Sequence, residues 1–150
     1  MYVDSQLQFS DAQAVTATAL STNYVDAGVA RALGVGRPLY IVVICVVAMT
    51  DSSSDSTVAV TLETDGAVSG SPANLTSGNV VLSLGTFAAL SAVGTRLIAH
   101  LPPEPANAFE RYIAVKYTVA NGNLTTGSFD AFITTDIAAW AAYPGGYTVS

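Results

Sequence analysis

The chain has 150 residues, enough for one domain with a real core and no need of metal or disulfide staples. Only 11% of it is charged, against about 25% in an ordinary globular protein, while 51% is hydrophobic and the mean hydropathy is +0.47. The net charge of −6 is spread over 11 acidic and 5 basic residues, and Arg31, Arg37, Arg96, Arg111 and Lys116 form no cluster. A basic stripe able to displace counterions from phosphates is therefore lacking, and direct nucleic-acid binding is not expected.

In chain order, residues 1–12 read as an N-terminal arm carrying Tyr2, Leu7 and Phe9 among polar residues. Met1-Tyr-Val-Asp-Ser-Gln has neither the basic start nor the apolar stretch of a signal peptide, so export by that route is not expected. Residues 13–137 read as the domain proper. Gln13 to Leu20 is a weak strand. Leu39 to Met49 is an eleven-residue apolar run rich in β-branched residues, preceded by Pro38. A membrane-spanning helix needs about 20 apolar residues, so this run reads as a strand buried on both faces, and no membrane partner is expected.

Strict period-2 alternation marks the next segments. In Thr57 to Thr64, Val58, Val60 and Leu62 point inward, with Thr57, Thr61 and Glu63 outward. Val80 to Thr86 is weaker, and Phe87 to Val93 could form one or two helical turns. Leu97, Ala99 and Leu101 alternate, as do Ile113, Val115, Tyr117 and Val119, and then Phe129, Ala131 and Ile133. Turn-rich segments separate these runs, among them Asp51-Ser-Ser-Ser-Asp55, Gly70-Ser-Pro72, Pro102-Pro-Glu-Pro105 and Asn121-Gly-Asn123. Asn121-Gly122 suggests a hairpin between the last two strands. Such punctuation predicts an all-β, single-domain antiparallel jelly roll or β-sandwich with extended terminal segments. Residues 138–150 read as a C-terminal arm holding Trp140, Tyr143 and Tyr147, large amphipathic side chains suited to anchoring against another subunit.

Catalytic chemistry finds little to work with. His100 could pair with Ser91 or Thr95, but a nucleophile elbow is absent and a strand histidine is usually structural. A usual zinc site cannot be built from one histidine and Cys45, which reads as a core hydrophobe. Asp51-Ser-Ser-Ser-Asp55 lacks the glycine and terminal glutamate of a calcium loop. Gly34-Val-Gly36 runs into Pro38 and a strand, not a phosphate-binding helix. Among the carboxylates Asp51, Asp55, Glu63, Asp65, Glu104, Glu110 and Asp130, none is singled out; Asp130 reads as a solvent-facing strand position. The expectation is a protein that is not an enzyme and takes no cofactor or metal.

Several segments carry a family resemblance through their order and spacing. They are Asp11-Ala-Gln-Ala-Val-Thr16, Ser21-Thr-Asn-Tyr-Val-Asp26, and Gly34-x-Gly-x-Pro-Leu-Tyr40 entering the apolar strand. Pro102-Pro-Glu-Pro, Glu110-Arg-Tyr-Ile-Ala-Val-Lys-Tyr117 and Thr126-Gly-Ser-Phe-Asp-Ala-Phe132 follow. Together, over roughly residues 5 to 136, the chain resembles the cement, or decoration, proteins of podovirus-type tailed-phage capsids. The resemblance implies a jelly roll that forms a homodimer on the outer capsid surface of the virion and clamps adjacent major capsid protein subunits. It implies no catalytic residue. Candidate subunit-interface residues, from their chemistry alone, are Tyr2, Leu7, Phe9, Trp140, Tyr143 and Tyr147. The alternative is a carbohydrate- or receptor-binding β-sandwich of a virion appendage, with Trp140, Tyr143 or Tyr147 stacking on sugar.

Overall fold

A computed structural model describes residues 4–30, 37–69, 74–75, 78–102 and 108–137. The described strands form two facing antiparallel sheets. One has the order β1 (Gln8–Ala14), β11 (Thr126–Thr134), β4 (Tyr40–Thr50), β9 (Arg96–His100). The other has the order β2 (Ala19–Leu20), β10 (Tyr112–Ala120), β5 (Thr57–Asp65), β8 (Asn79–Phe87), with β3 (Val25–Asp26) also on β10. From β4 onward, apart from the step from β5 to β8, the strands of the two sheets change sheet from one to the next: β4 to β5, β8 to β9, β9 to β10, β10 to β11. That wrapping is a jelly-roll sandwich. A small hairpin, β6 (Val68–Ser69) with β7 (Asn74–Leu75), lies in the connection between β5 and β8.

The strands form where Val, Ile, Thr, Tyr and Phe recur at every second position, which buries one face and leaves the other for solvent or a covering loop. Ile41, Val43 and Cys45 of β4, and Phe129, Ala131 and Ile133 of β11, meet Val58, Val60 and Leu62 of β5 and Ile113, Val115 and Tyr117 of β10 in one core. Aromatic rings join the sheets at its centre. Phe129 lies 5.3 Å from the Tyr117 ring in a stacked arrangement and 5.0 Å from Phe87.

The Tyr117 hydroxyl is fully buried and donates to Ser10 Oγ at 2.9 Å, which donates in turn to Gln13 Oε1 at 2.7 Å. Gln13 holds the following loop, accepting from the Thr22 amide and donating to the Leu20 carbonyl, both at 2.8 Å. Burial, only partly offset by the Ser10 hydrogen bond, raises the Tyr117 pKa above its usual value. An unfolded tyrosine ionises near pH 10, so above about pH 10 the unfolded chain loses its proton first and stability falls by up to about 1.4 kcal/mol per pH unit. Tyr117→Phe is expected to cost about 1 kcal/mol at neutral pH through the lost hydrogen bond. It is also expected to remove this alkaline slope, so that urea midpoints of the two proteins converge as pH rises past 10. Parallel slopes would show that Tyr117 does not carry the effect.

Four expectations are corrected. Residues 8–12 are not a free arm but most of β1, an edge strand on β11. They escape notice because the pairing is bulged twice, between Gln8 and Ser10 and between Ser10 and Gln13, so the consecutive residues Phe9 and Ser10 are both buried and alternation is lost. The expected strand Gln13–Leu20 is split, because the chain leaves one sheet at Ala14 and joins the other at Ala19. Asn121-Gly122 makes no hairpin. Both residues have positive φ (64° and 114°), as a tight turn requires, but the turn carries the chain from β10 in one sheet to β11 in the other. Ser56 Oγ donates to the Gly122 carbonyl at 3.1 Å and fixes it there. Residues 87–93 are the end of β8 and a turn, not a helix.

Candidate functional site

Two surfaces stand out, at opposite ends of the five-stranded sheet. The register sets their separation: Tyr112 pairs with Asp65 at one end of β10 and Ala120 with Thr57 at the other, where Val58 meets Phe87. A nine-residue strand spans about 27 Å.

The first surface is the turn that follows β8. It is pinned from three sides. The Ala88 carbonyl accepts from both the Ser91 amide (3.2 Å) and Ser91 Oγ (2.7 Å), and the Ala92 carbonyl accepts from Thr95 (3.1 Å). The loop also continues the edge of β4: Met49 N–H donates to the Ser91 carbonyl (3.0 Å), Gly94 N–H to the Cys45 carbonyl (2.8 Å), and Cys45 N–H to the Thr95 carbonyl (2.9 Å). Within this frame Leu90 is held at φ +57°, a left-handed conformation that leucine rarely adopts and that costs on the order of 1–3 kcal/mol. Leu90 is 52% exposed, Val93 64%, and Val47 on the adjoining stretch of β4 46%. No charged residue occurs between Asp65 and Arg96. A strained, rigid, uncharged turn thus offers apolar side chains to the outside.

The second surface is aromatic and ionic. Arg111 makes a forked pair with Asp26 (Nε–Oδ1 2.8 Å, Nη2–Oδ2 2.9 Å), and its guanidinium lies 4.8 Å over the Tyr112 ring. Tyr112 meets the exposed Tyr24 edge to face at 5.5 Å. The Arg111 fork, helped by the Gly28 amide, holds the Asp26 carboxyl at about 2, well below the usual carboxylate range. Arginine and tyrosine on a surface fixed by such contacts are typical of interface hot spots.

Comparison with known families adds the decisive observation: the Bbp16 family model matches residues 9–133. The chain belongs to the Bbp16 family. The family name is of a phage type. The match runs from β1 to the end of β11, so what the Bbp16 family shares covers both sheets and both surfaces described above. No curated protein matches the chain.

In this Bbp16-family chain the residues singled out from the sequence are dispersed. Phe9 fills the domain's own core and presents no surface to a partner; Leu7, in a 3-10 turn (Ser5–Leu7), packs against the same core. Tyr2, Trp140, Tyr143 and Tyr147 lie outside the described residues, as do Gly34, Gly36 and Glu104. His100 pairs with Tyr40 across the sheet, ring to ring at 5.3 Å. Ser91 and Thr95 lie beyond the other end of β9, and Ser91 Oγ is engaged by the Ala88 carbonyl, so no base–nucleophile pair assembles. Cys45 is buried, and burial pushes its thiol pKa up, away from reactivity.

The carboxylates are likewise engaged. Asp51 Oδ2 accepts the Ser56 amide at 2.9 Å and the Asp55 amide at 3.2 Å, closing the polar loop on itself. Asp130 is not simply solvent-facing: it accepts the Ala12 amide at 2.6 Å and secures β1 where that strand bulges. Glu63 points outward as its place in the strand predicts, yet it is only 5% exposed and pairs with Lys116 at 3.2 Å. Among the described residues no group of three or more His, Cys, Asp or Glu side chains converges as a metal site. Sequence reasoning missed Leu90, Val93, Val47 and Tyr24. The available signal was the long uncharged stretch between Asp65 and Arg96, which places exposed leucine and valine in a turn where polar residues are usual.

Proposed function

We propose that this protein is a structural virion component that binds the outer surface of an assembled phage capsid as a dimer and stabilises contacts between major capsid subunits. The observation that carries the reading is the pinned apolar turn with Leu90 and Val93, offered by a domain of a phage-type family. Rigid presentation lowers the ordering cost of association, which is the use to which strain at Leu90 is put. A clamp also needs two separated contact surfaces, and the Tyr24–Arg111–Tyr112 surface supplies the second at the other end of the sheet. Binding only the assembled shell stabilises it by mass action. The net charge of −6 suits the outside of a shell better than the side facing packaged nucleic acid.

The test is co-sedimentation with purified capsids that lack the protein. Leu90→Lys with Val93→Lys is expected to leave the melting temperature nearly unchanged, because both side chains are exposed. Capsid affinity should fall by about 100-fold, equivalent to about 3 kcal/mol of lost apolar burial. The reading fails if the native protein does not pellet with capsids, or if the double variant pellets equally well. Light scattering checks the dimer.

A further inference from the structure

Asn121 is the only asparagine of the chain followed by glycine; Asn23, Asn74, Asn79, Asn107 and Asn123 precede Tyr, Leu, Val, Ala and Leu. That pair has a chemistry of its own. With no Cβ on the second residue, its amide nitrogen can reach the asparagine carboxamide and close an imide ring. The turn between β10 and β11 leaves this reaction open. Asn121 and Gly122 are both exposed. Ser56 Oγ engages the Gly122 carbonyl at 3.1 Å, but the Gly122 N–H donates to no described residue. Among the described residues, one long hydrogen bond holds the carboxamide, from Asn121 Nδ2 to the Asp55 carbonyl at 3.3 Å.

The same ring could close at Asp65-Gly66, and there the fold prevents it. Asp65 is paired with Tyr112 in the sheet, and its Oδ1 accepts the Ala67 amide at 3.1 Å. Gly66 is hemmed in as well, since a Cβ there would fall 2.9 Å from Glu110 Oε2.

We propose that Asn121 is a site of spontaneous covalent modification: deamidation through a cyclic imide, which loosens the end of the sandwich where the chain crosses from β10 to β11. Gly122 N loses its proton to hydroxide and attacks Asn121 Cγ. The N–Cγ bond forms, the Cγ–Nδ2 bond breaks, and ammonia leaves with a proton taken from water. Water then opens the imide on either side of the nitrogen. Breaking the new N–Cγ bond gives aspartate, and breaking the original peptide bond gives isoaspartate. The sum is amide plus water to acid plus ammonia, with no redox step. Either product loses the Nδ2 donor and sets a carboxylate against the Asp55 carbonyl, in a loop that already carries Asp51 and Asp55. Isoaspartate also lengthens the main chain by a methylene. The turn is fixed on both sides, by Ala120 paired with Thr57 and by the Leu124 amide on the Thr16 carbonyl at 2.8 Å, and so has no slack for it. This inference does not depend on the capsid reading.

Ageing the full-length folded protein at mildly alkaline pH, followed by peptide mass mapping, tests it. The amide-to-acid mass gain is expected at Asn121 many-fold faster than at Asn23, Asn79 or Asn123, at a rate that rises with hydroxide concentration. Isoaspartate should exceed aspartate there, and Asp65 should yield isoaspartate only in the urea-unfolded chain. The aged protein should unfold at lower urea concentration than the fresh one. Asn121→Asp, which supplies one product directly, should lie between the two. Three results would overturn the inference. Conversion at Asn121 no faster than at the other asparagines would mean that the turn protects it. Aspartate without isoaspartate would mean that no ring forms. An unchanged urea midpoint after conversion would mean that the turn does not hold this end of the sandwich.

Discussion

Phe129→Ala is expected to lower the free energy of unfolding by about 4 kcal/mol, within the range of about 3–5 kcal/mol usual for emptying a buried phenylalanine site. Phe129 is fully buried on β11 and projects between rings of the opposite sheet, stacked on Tyr117 and tilted against Phe87. Truncation loses the transfer energy of the ring, leaves a cavity that two rigid β-sheets cannot collapse into, and removes two aromatic contacts worth about 0.5–1.5 kcal/mol each. Against a total stability of about 5–15 kcal/mol for a domain, that is enough to leave much of the protein unfolded on mild warming. Phe129→Leu keeps most of the volume and should cost markedly less, about 1–2 kcal/mol. Urea denaturation followed by circular dichroism measures both. A loss below about 1 kcal/mol for the alanine variant would mean that the sheets are held together elsewhere than at this aromatic centre.

The fold was legible wherever the chain alternates strictly. The strands around Val58–Leu62, Ile113–Val119 and Phe129–Ile133 were readable because a period of two has one simple physical cause, a buried face and an open one. The two-faced apolar character of β4 was readable for the same reason, and Val42 is buried on the outward side as that reading requires. β1 was not legible, because its bulges and the positive φ of Ala12 destroy the period while the burial of Phe9 and Ser10 persists. Pairing across the sandwich was not legible either: Asn121-Gly122 has the local chemistry of a hairpin, and only the global wrapping sends its two flanking strands to different sheets. The candidate contact surface was illegible for a further reason. An exposed leucine differs from a buried one only through the backbone that holds it, and Leu90 is turned outward by hydrogen bonds to β4, more than forty residues earlier in the chain.

The ion pair between Lys116 and Glu63 illustrates the same distinction between facing outward and being exposed, and it has a measurable consequence. Glu63 lies on the outer face of the five-stranded sheet, but the connection between β5 and β8 returns over it so closely that a Cβ at Gly78 would fall 2.5 Å from Glu63 Oε2 and 3.4 Å from Leu75 Cδ1. Its carboxylate is thereby taken out of water, with Lys116 at 3.2 Å as its cationic partner and Thr61 Oγ1 at 3.5 Å. Removing the cation leaves a buried charge without its counterpart, which costs about 3–5 kcal/mol when both groups are fully buried. Lys116 keeps 38% of its side-chain surface in solvent, and screening there reduces the expected loss for Lys116→Met to about 2 kcal/mol. Glu63→Gln in that background removes the charge while keeping the shape, so the double variant should recover more than half of the loss. The two substitutions should therefore be strongly non-additive in a double-mutant cycle by urea denaturation. Additive losses would indicate that the covering connection moves aside to let water reach Glu63, and that the pair then contributes no more than an ordinary surface salt bridge.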